Sequence, residues 1–478
     1  MRAFREVTED CGLIDLGFSG LPYTWDNRQE GSANVKERID RAFGNDGLLN
    51  LFQVVKVKHV SVVQSDHCMI QTELKKHVSH RPLGRRAFKY ENVWQTHGDY
   101  DKVVVDLWQK ALRGVGLEGF AKTLSSMQNG LSSWGTATFG DFKKKLSNLR
   151  RELDRVRRIS LGRGPSPEEK KIMERINEVL FQEEIWIKQR SRVNWLQSGD
   201  RNTAYFHACA SQRKRMNSIS SLQREDGTWC DDAEEVKDAV QGFYKYLYTS
   251  EGAPDMQGLI DLVHEKVVQE DKVNLEADFT EEEVKRALFQ MHPSKAPGVD
   301  GFTAGFYQRH WSLVGPKLCG AVLGFLNGGE MPEEINDTAI TLIPKVRNPQ
   351  SIKQYRPISL CTVLYKIATK TVANRMRPVL EYTISQEQSS FVPGRLISDN
   401  ALVAFECVHA MKRKKKGKKG HCEVKLDMMK AYDRAEWPFV ESILTKLGFP
   451  GRLVQIIMKC VSTVRFSVKV NGGLLDGV

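Results

Sequence analysis

No run of about 18 apolar residues occurs anywhere in the chain, which excludes a membrane-spanning helix. The first residues, MRAFREVTEDCG, carry charges where a secretory signal needs an apolar core, so the chain is expected to be soluble and intracellular. Its nine cysteines are scattered, with no CxxC pair and no Cys/His spacing of the kind that holds zinc, and they read as reduced thiols. Acidic residues are also in deficit. The 71 Lys and Arg outnumber the 59 Asp and Glu, giving a net charge of +12 and favouring a polyanionic partner. The remainder is ordinary globular material: 41% hydrophobic residues, enough to build cores, in 478 residues, a length that suits about three domains.

The chemistry concentrates in residues 424–437, VKLDMMKAYDRAEW. Val424 and Leu426 alternate with Lys425, the period of a half-buried strand, and such a strand would deliver Asp427 to its end. Tyr432 follows, then a second acid, Asp433. Pro438 suits a first helical turn, Phe439, Ile443, Leu444 and Leu447 supply an apolar face, and Gly448 and Pro450 stop the helix. A carboxylate held on a rigid strand ahead of a helix suits a divalent metal beside a substrate phosphate. By spacing alone the same Asp more often forms a turn or caps a helix.

Two upstream blocks reverse that weighting. Residues 342–360 read LIPKVRNPQSIKQYRPISL and residues 388–409 read QSSFVPGRLISDNALVAFECVH. With KLDMMKAYDRAEW they resemble, in order and wording, the reverse transcriptase of plant LINE-type non-LTR retrotransposons. The resemblance implies an RNA-directed DNA polymerase that extends a DNA primer on an RNA template from deoxynucleoside triphosphates. It also implies Mg²⁺, a nuclear and cytoplasmic location and no membrane partner. It makes Asp427 a catalytic metal ligand and Tyr432 the steric gate against a 2′ hydroxyl. Lys345 and Arg356, on the hairpin between the β-rich runs 339–343 and 358–360, become the groups that neutralise the incoming triphosphate. Arg395 resembles a position near the template, although a packing role fits it equally. Asp433 reads as structural, a helix cap.

In these elements a nicking endonuclease/exonuclease/phosphatase domain precedes the polymerase. Residues 1–78, expected as short strands and turns, resemble its C-terminal third through GLPYTW, ERIDRAF and SDH in that order. The resemblance makes His67 the general base, Asp40 the acid that orients it, and Asp66 a metal-site acid. A lone His closing a strand is more often simply at the surface. The Asn, Glu, Tyr and Asp-x-Asn of the family's first two thirds have no counterpart, so nicking is expected to be absent.

Residues 79–270 carry no recognisable chemistry and are expected to be mostly helical. Leu146, Leu149, Leu153 and Val156 recur three and four apart among basic residues, and Gly162, Gly164 and Pro165 break that helix. Ser166 to Glu169 read as a capping box opening a second helix through Ile172, Ile176, Val179, Leu180 and Ile187, hence an αα-hairpin. Residues 191–222 resemble the connecting segment of the plant elements, with a basic patch at Arg213, Lys214 and Arg215.

Residues 271–478 are the expected polymerase part. Thr280 and Glu283 suit a capping box, with Phe279 and Val284 as hydrophobic staple, and HPSKAPGVDGFTAGFY (292–307) a structured loop resembling the N-terminal extension of non-LTR polymerases. Ile397, Ala401, Leu402, Phe405 and Val408 mark a helix face. KRKKKGKK (412–419) repels itself and reads as a loop that either binds phosphates or signals nuclear import. Val464, Phe466, Val468 and Val470 alternate as a strand into an Asn471-Gly472 turn, with too few residues after it to complete the returning strand. The family's second pair of metal carboxylates has no counterpart. The expected fold class is α+β and multi-domain: a partial endonuclease-like β-sandwich, a helical linker, and right-hand polymerase fingers with a partial palm. The expected function is that of an RNA-directed DNA polymerase, inactive as this chain; the alternative is a non-catalytic retroelement remnant that at most binds nucleic acid or a partner.

Overall fold

A computed structural model describes residues 4, 7–8, 11–29, 33–60, 65–76, 88–159, 166–193, 203–250, 252, 255–414, 420–428 and 430–475. In the first segment β1 (Ser19–Gly20) pairs parallel with β2 (Phe52–Val60), which pairs antiparallel with β3 (Met69–Lys76). Two short ribbons, Ile14–Asp15 with Phe43–Gly44 and Trp25–Asp26 with Lys36–Glu37, complete the strands there. Val62 and Val63 lie outside the described residues. Val57 is the one buried apolar side chain among the described residues of this segment, so it has sheet but scarcely a core.

Helices dominate next: α1 (Tyr100–Ala111), α2 (Gly116–Phe139), α3 (Phe142–Ile159), α4 (Pro167–Ser191), α5 (Thr203–Met216) and α6 (Ala233–Tyr248). The αα-hairpin forms, α3 laying Leu153 and Val156 on Ile172 and Ile176 of α4. Its capping box is only half made. Ser166 accepts from the Glu169 amide at 3.1 Å, but the Glu169 carboxylate takes the Arg157 guanidinium at 2.7 Å, a charge-assisted bond stronger than one to a solvated amide.

The expected polymerase part opens on α7 (Glu281–Phe289), where both halves of the capping box are present. Phe279 and Val284 are buried as the staple requires, and Arg375 stacks on Phe279 while gripping Glu283 at 2.6 and 2.9 Å. There follow α8 (Trp311–Leu326), β4 (Asp337–Pro344), β5 (Tyr355–Leu360), α9 (Val363–Thr383), α10 (Ile397–Arg413), α11 (Trp437–Lys446), α12 (Gly451–Ser462), β6 (Arg465–Val470) and β7 (Gly473–Leu475). The sheet order is β5-β4-β6-β7, with β4 antiparallel to β5 and parallel to β6. Asn471 at φ 49° and Gly472 at φ 94° make a tight turn with both central residues left-handed. The returning strand therefore does form, correcting the expectation: the turn sets the register, and three residues suffice to pair Val470 with Gly473 and Val468 with Leu475.

One core runs through most of the chain. Tyr90, Trp108, Phe120 and Leu131 belong to the same buried cluster as Phe306, Val314, Leu364 and Leu453, so the core does not part at residue 270. A second cluster joins Val236, Val240 and Tyr244 of α6 to Ile340, Tyr355 and Val468 of the sheet. The loop from 292 to 303 is a wedge in this packing. Gly301, at φ 71°, lies so close to the Phe88 carbonyl that a Cβ there would sit 2.1 Å from its oxygen. No helix among the described residues is long and apolar enough to cross a membrane.

Candidate active site

The β4–β5 hairpin places its cations by strand register. Arg356 stands opposite Ile343 on β5 with its side chain exposed, and Lys345 follows the last residue of β4. The Lys345 amide donates to the Gln354 carbonyl at 2.8 Å and its Nζ to the Lys353 carbonyl at 2.9 Å, which ties the loop shut. Lys430, which the sequence reading passed over, comes into the same neighbourhood. Burial is the largest influence lowering its ammonium pKa, Asp433 opposes it, and the nearby charge of Lys345 lowers it further. Its Nζ lies 3.8 Å from Asp433 and 5.9 Å from the centre of the Tyr244 ring. The signal for Lys430 was its place between Asp427 and Tyr432; only folding brought it to Lys345.

The strand expected at residues 424–426 does not form. Residues 420–428 have no regular structure, and Leu426 is 85% exposed. A strand needs a ladder partner for its amides and carbonyls, and among the described residues none is offered to this segment. Asp427 therefore stands in exposed backbone, whereas α11 begins where Pro438 indicated. Tyr432, 75% exposed, sits in a single 3₁₀ turn with its ring edge toward Phe391, 5.8 Å between centres. Asp433 is not the cap expected of it: the residue flanking α11 is Glu436, and Asp433 turns to Lys430 instead.

Helix α10 forms as its periodicity indicated, yet none of its residues is buried and Phe405 is 76% exposed. Ahead of it, the Arg395 guanidinium donates to the carbonyls of Glu381, Ile384, Ser385 and Gln388, closing the C-terminal end of α9. Of the basic run, Lys412 to Lys414 are exposed, and residues 415–419 lie outside the described residues.

A second constellation lies in the first segment. His67 Nδ1 is 2.8 Å from Asp40 Oδ2, so the structure brings together two residues 27 apart in sequence, in a contact by which a carboxylate can orient an imidazole. Thr24, fully buried, accepts the amides of Ile39 and Asp40 at 3.1 and 2.9 Å and fixes that loop. Partial burial works to raise the Asp40 pKa, but hydrogen bonds from His67 and Thr24 outweigh it and hold the carboxyl below its ordinary range. Asp66 is engaged elsewhere, accepting the Trp25 indole N–H at 3.0 Å.

Comparison with known proteins bears on residues 343–475 above all. Residues 343–475 match the reverse transcriptase (RNA-dependent DNA polymerase) family. The chain is also 31% identical over 287 residues to the transposon TX1 uncharacterized 149 kDa protein of Xenopus laevis, an alignment covering 60% of this chain and 22% of that relative. It is 24% identical over 179 residues to a retrovirus-related Pol polyprotein from the type-1 retrotransposable element R2 of Bradysia coprophila, covering 37% of this chain and 20% of the relative. The R2 Pol polyprotein of Popillia japonica is 23% identical over 202 residues, covering 40% and 26%. The chain thus spans about a quarter or less of the length of these curated relatives. Within the reverse transcriptase match fall Lys345, Arg356, Arg395, Asp427, Lys430 and Tyr432.

Proposed function

We propose that this chain is part of a non-LTR retrotransposon polyprotein, of the plant LINE type, whose polymerase half copies RNA into DNA. The observation that carries the reading is the reverse transcriptase match over residues 343–475, which contains every polymerase residue singled out above. Lys345 and Arg356, joined by Lys430, meet the triphosphate, where clustered cations offset its charge. Tyr432 sits exposed a few residues beyond Asp427, suited to meeting the sugar of an incoming nucleotide.

The family's reaction uses a divalent metal, for which we propose Mg²⁺ with Asp427 as one ligand. A two-metal centre holds its ions about 3.5 to 4 Å apart among several carboxylates. Among the described residues no group of three His, Cys, Asp or Glu stands together, so they do not form that centre. What supports a triphosphate role is the pair of cations on a hairpin whose loop Lys345 ties shut. The test is primer extension on an RNA template by a polyprotein of the relatives' length containing these residues. There Asp427→Asn abolishes extension, Tyr432→Ala chiefly relaxes discrimination against ribonucleotides, and Lys345→Ala with Lys430→Ala raises KM for the triphosphate. Extension indifferent to Asp427→Asn would overturn the reading, and residues 1–478 alone should give none.

A second reading concerns residues 1–78, favoured by the 2.8 Å approach of His67 and Asp40. We read this segment as the C-terminal part of an endonuclease/exonuclease/phosphatase domain that keeps its base and orienting acid. A non-catalytic remnant remains the competing account of the whole chain; it foresees nucleic-acid binding without extension even in the longer polyprotein.

A further inference from the structure

Helix α3 carries eight basic and two acidic side chains, half of the chain's net charge of +12. Its apolar stripe of Phe142, Leu146, Leu149, Leu153 and Val156 is buried. The helical period then turns Lys144, Arg151, Arg155 and Arg158 to the opposite side, where all four are exposed. From Lys144 to Arg158 this row runs about 21 Å along the helix axis.

Among the described residues the row finds no ion-pair partner. Of the helix's ion pairs, Arg157 goes to Glu169 at 2.7 Å and Glu152 to Arg175 at 3.8 Å, and among the described residues no carboxylate pairs with the four outward cations. Arg151 donates to Asn148 at 2.6 Å, which leaves its charge in place. Arg151 with Arg155 and Arg155 with Arg158 are like charges four and three apart; Glu152 and Asp154 flank the row at helical spacing, but two acids against eight basic residues leave the helix at +6, a charge that phosphates outside it can offset. The one aromatic residue of α3, Phe142, is buried, so the outward face offers cations to phosphates but no platform for stacking unpaired bases.

We infer that the outward face of α3 binds the phosphate backbone of a nucleic-acid duplex, whatever its sequence. A straight, rigid row of cations suits a duplex, whose phosphates recur regularly, about every 3.4 Å along each strand. This surface lies outside residues 343–475 and does not depend on the polymerase reading.

The experiment is equilibrium binding of the full chain to two labelled duplexes of unrelated sequence, from about 50 to 200 mM salt. Replacing all four cations (Lys144→Gln, Arg151→Gln, Arg155→Gln, Arg158→Gln) should weaken binding to both duplexes alike. The slope of log affinity against log salt should fall by about 3 to 4, since each phosphate contact contributes roughly 0.9. The charge-keeping variant Arg151→Lys, Arg155→Lys, Arg158→Lys should retain the slope. Gln matches Lys and Arg in helix propensity, so helicity by circular dichroism should be unchanged. If it falls, Arg151→Gln and Arg158→Gln singly should each remove about one unit of slope. An unchanged slope in these variants, a loss confined to one sequence, or tighter binding of single strands than of duplexes would overturn the inference.

Discussion

Burial pushes the His310 imidazole down to about 4 from its ordinary value of 6.5, Asp101 opposing the shift and Arg309 adding to it. The ring is therefore neutral at pH 7 and lies 2.9 Å from the Tyr100 hydroxyl. With His310 Nε2 accepting from Tyr100, Tyr90 must donate to Tyr100 across 2.5 Å and Gln95 to Tyr90 across 2.9 Å, a one-way chain that tethers residues 90–100 to α8. Because the unfolded chain protonates this His at higher pH than the folded one, its contribution is whole above about pH 6.5 and is lost as pH falls toward 4. At most about 3 kcal/mol is involved. Unfolding in denaturant at pH 7 and 4.5 should show a smaller pH difference for His310→Gln than for the parent chain. His67 and Asp40 support a different expectation. With Asp66 held by Trp25 and no metal-holding cluster among the described residues, the chain should not nick supercoiled DNA in Mg²⁺, and His67→Ala should change nothing. A metal-dependent nick that disappears in that variant would show that the dyad is catalytic here.

At the scale of elements, periodicity and capping were legible wherever an element's partner lies close in the fold. The α3–α4 hairpin, the cap of α7, the start of α11 and the alternation of β6 all stand where the sequence put them. The strand at 424–426 failed, and the apolar face of α10 stands uncovered on a helix that does form, for one physical reason: alternation and amphipathicity say which side of an element is apolar, but not that anything lies against it. Asn471 was legible only as a turn former. Its side chain also accepts the Ile219 amide at 2.8 Å and donates to the Ile219 carbonyl at 2.7 Å, fastening the connecting region to the β6–β7 hairpin. Asn471→Gly keeps the left-handed turn and removes both bonds. It should lower stability by about 1 to 3 kcal/mol, read as a lower denaturant midpoint at unchanged m.

For the whole molecule the shared core matters most. Tyr90 through Phe142 pack in one cluster with α8, α9 and α12, and the Gly301 loop closes on Phe88. Residues 271–478 expressed alone should therefore expose a large apolar face, bind hydrophobic dye and lose cooperative unfolding; restoring residues 88–270 should recover both. A cooperative transition by 271–478 alone would mean that these residues hold a sufficient core of their own.

The order of the blocks at 342–360, 388–409 and KLDMMKAYDRAEW determined the resemblance to reverse transcriptases, which the family match over residues 343–475 bears out, because wording and spacing of that kind survive without coordinates. Local pattern likewise determined most helices and the β4–β5 hairpin, since capping and hydrophobic period act within a few residues of chain. Tertiary structure decided what depends on partners distant in sequence: the pairing of His67 with Asp40, the approach of Lys430 to Lys345, the diversion of Glu169 to Arg157 and of Arg395 to four carbonyls. Such encounters are set by how elements pack: even where the partners are only 7 to 14 residues apart, as for Arg395 and its carbonyls, or 12 apart, as for Arg157 and Glu169, they sit on different elements whose approach the local pattern does not state.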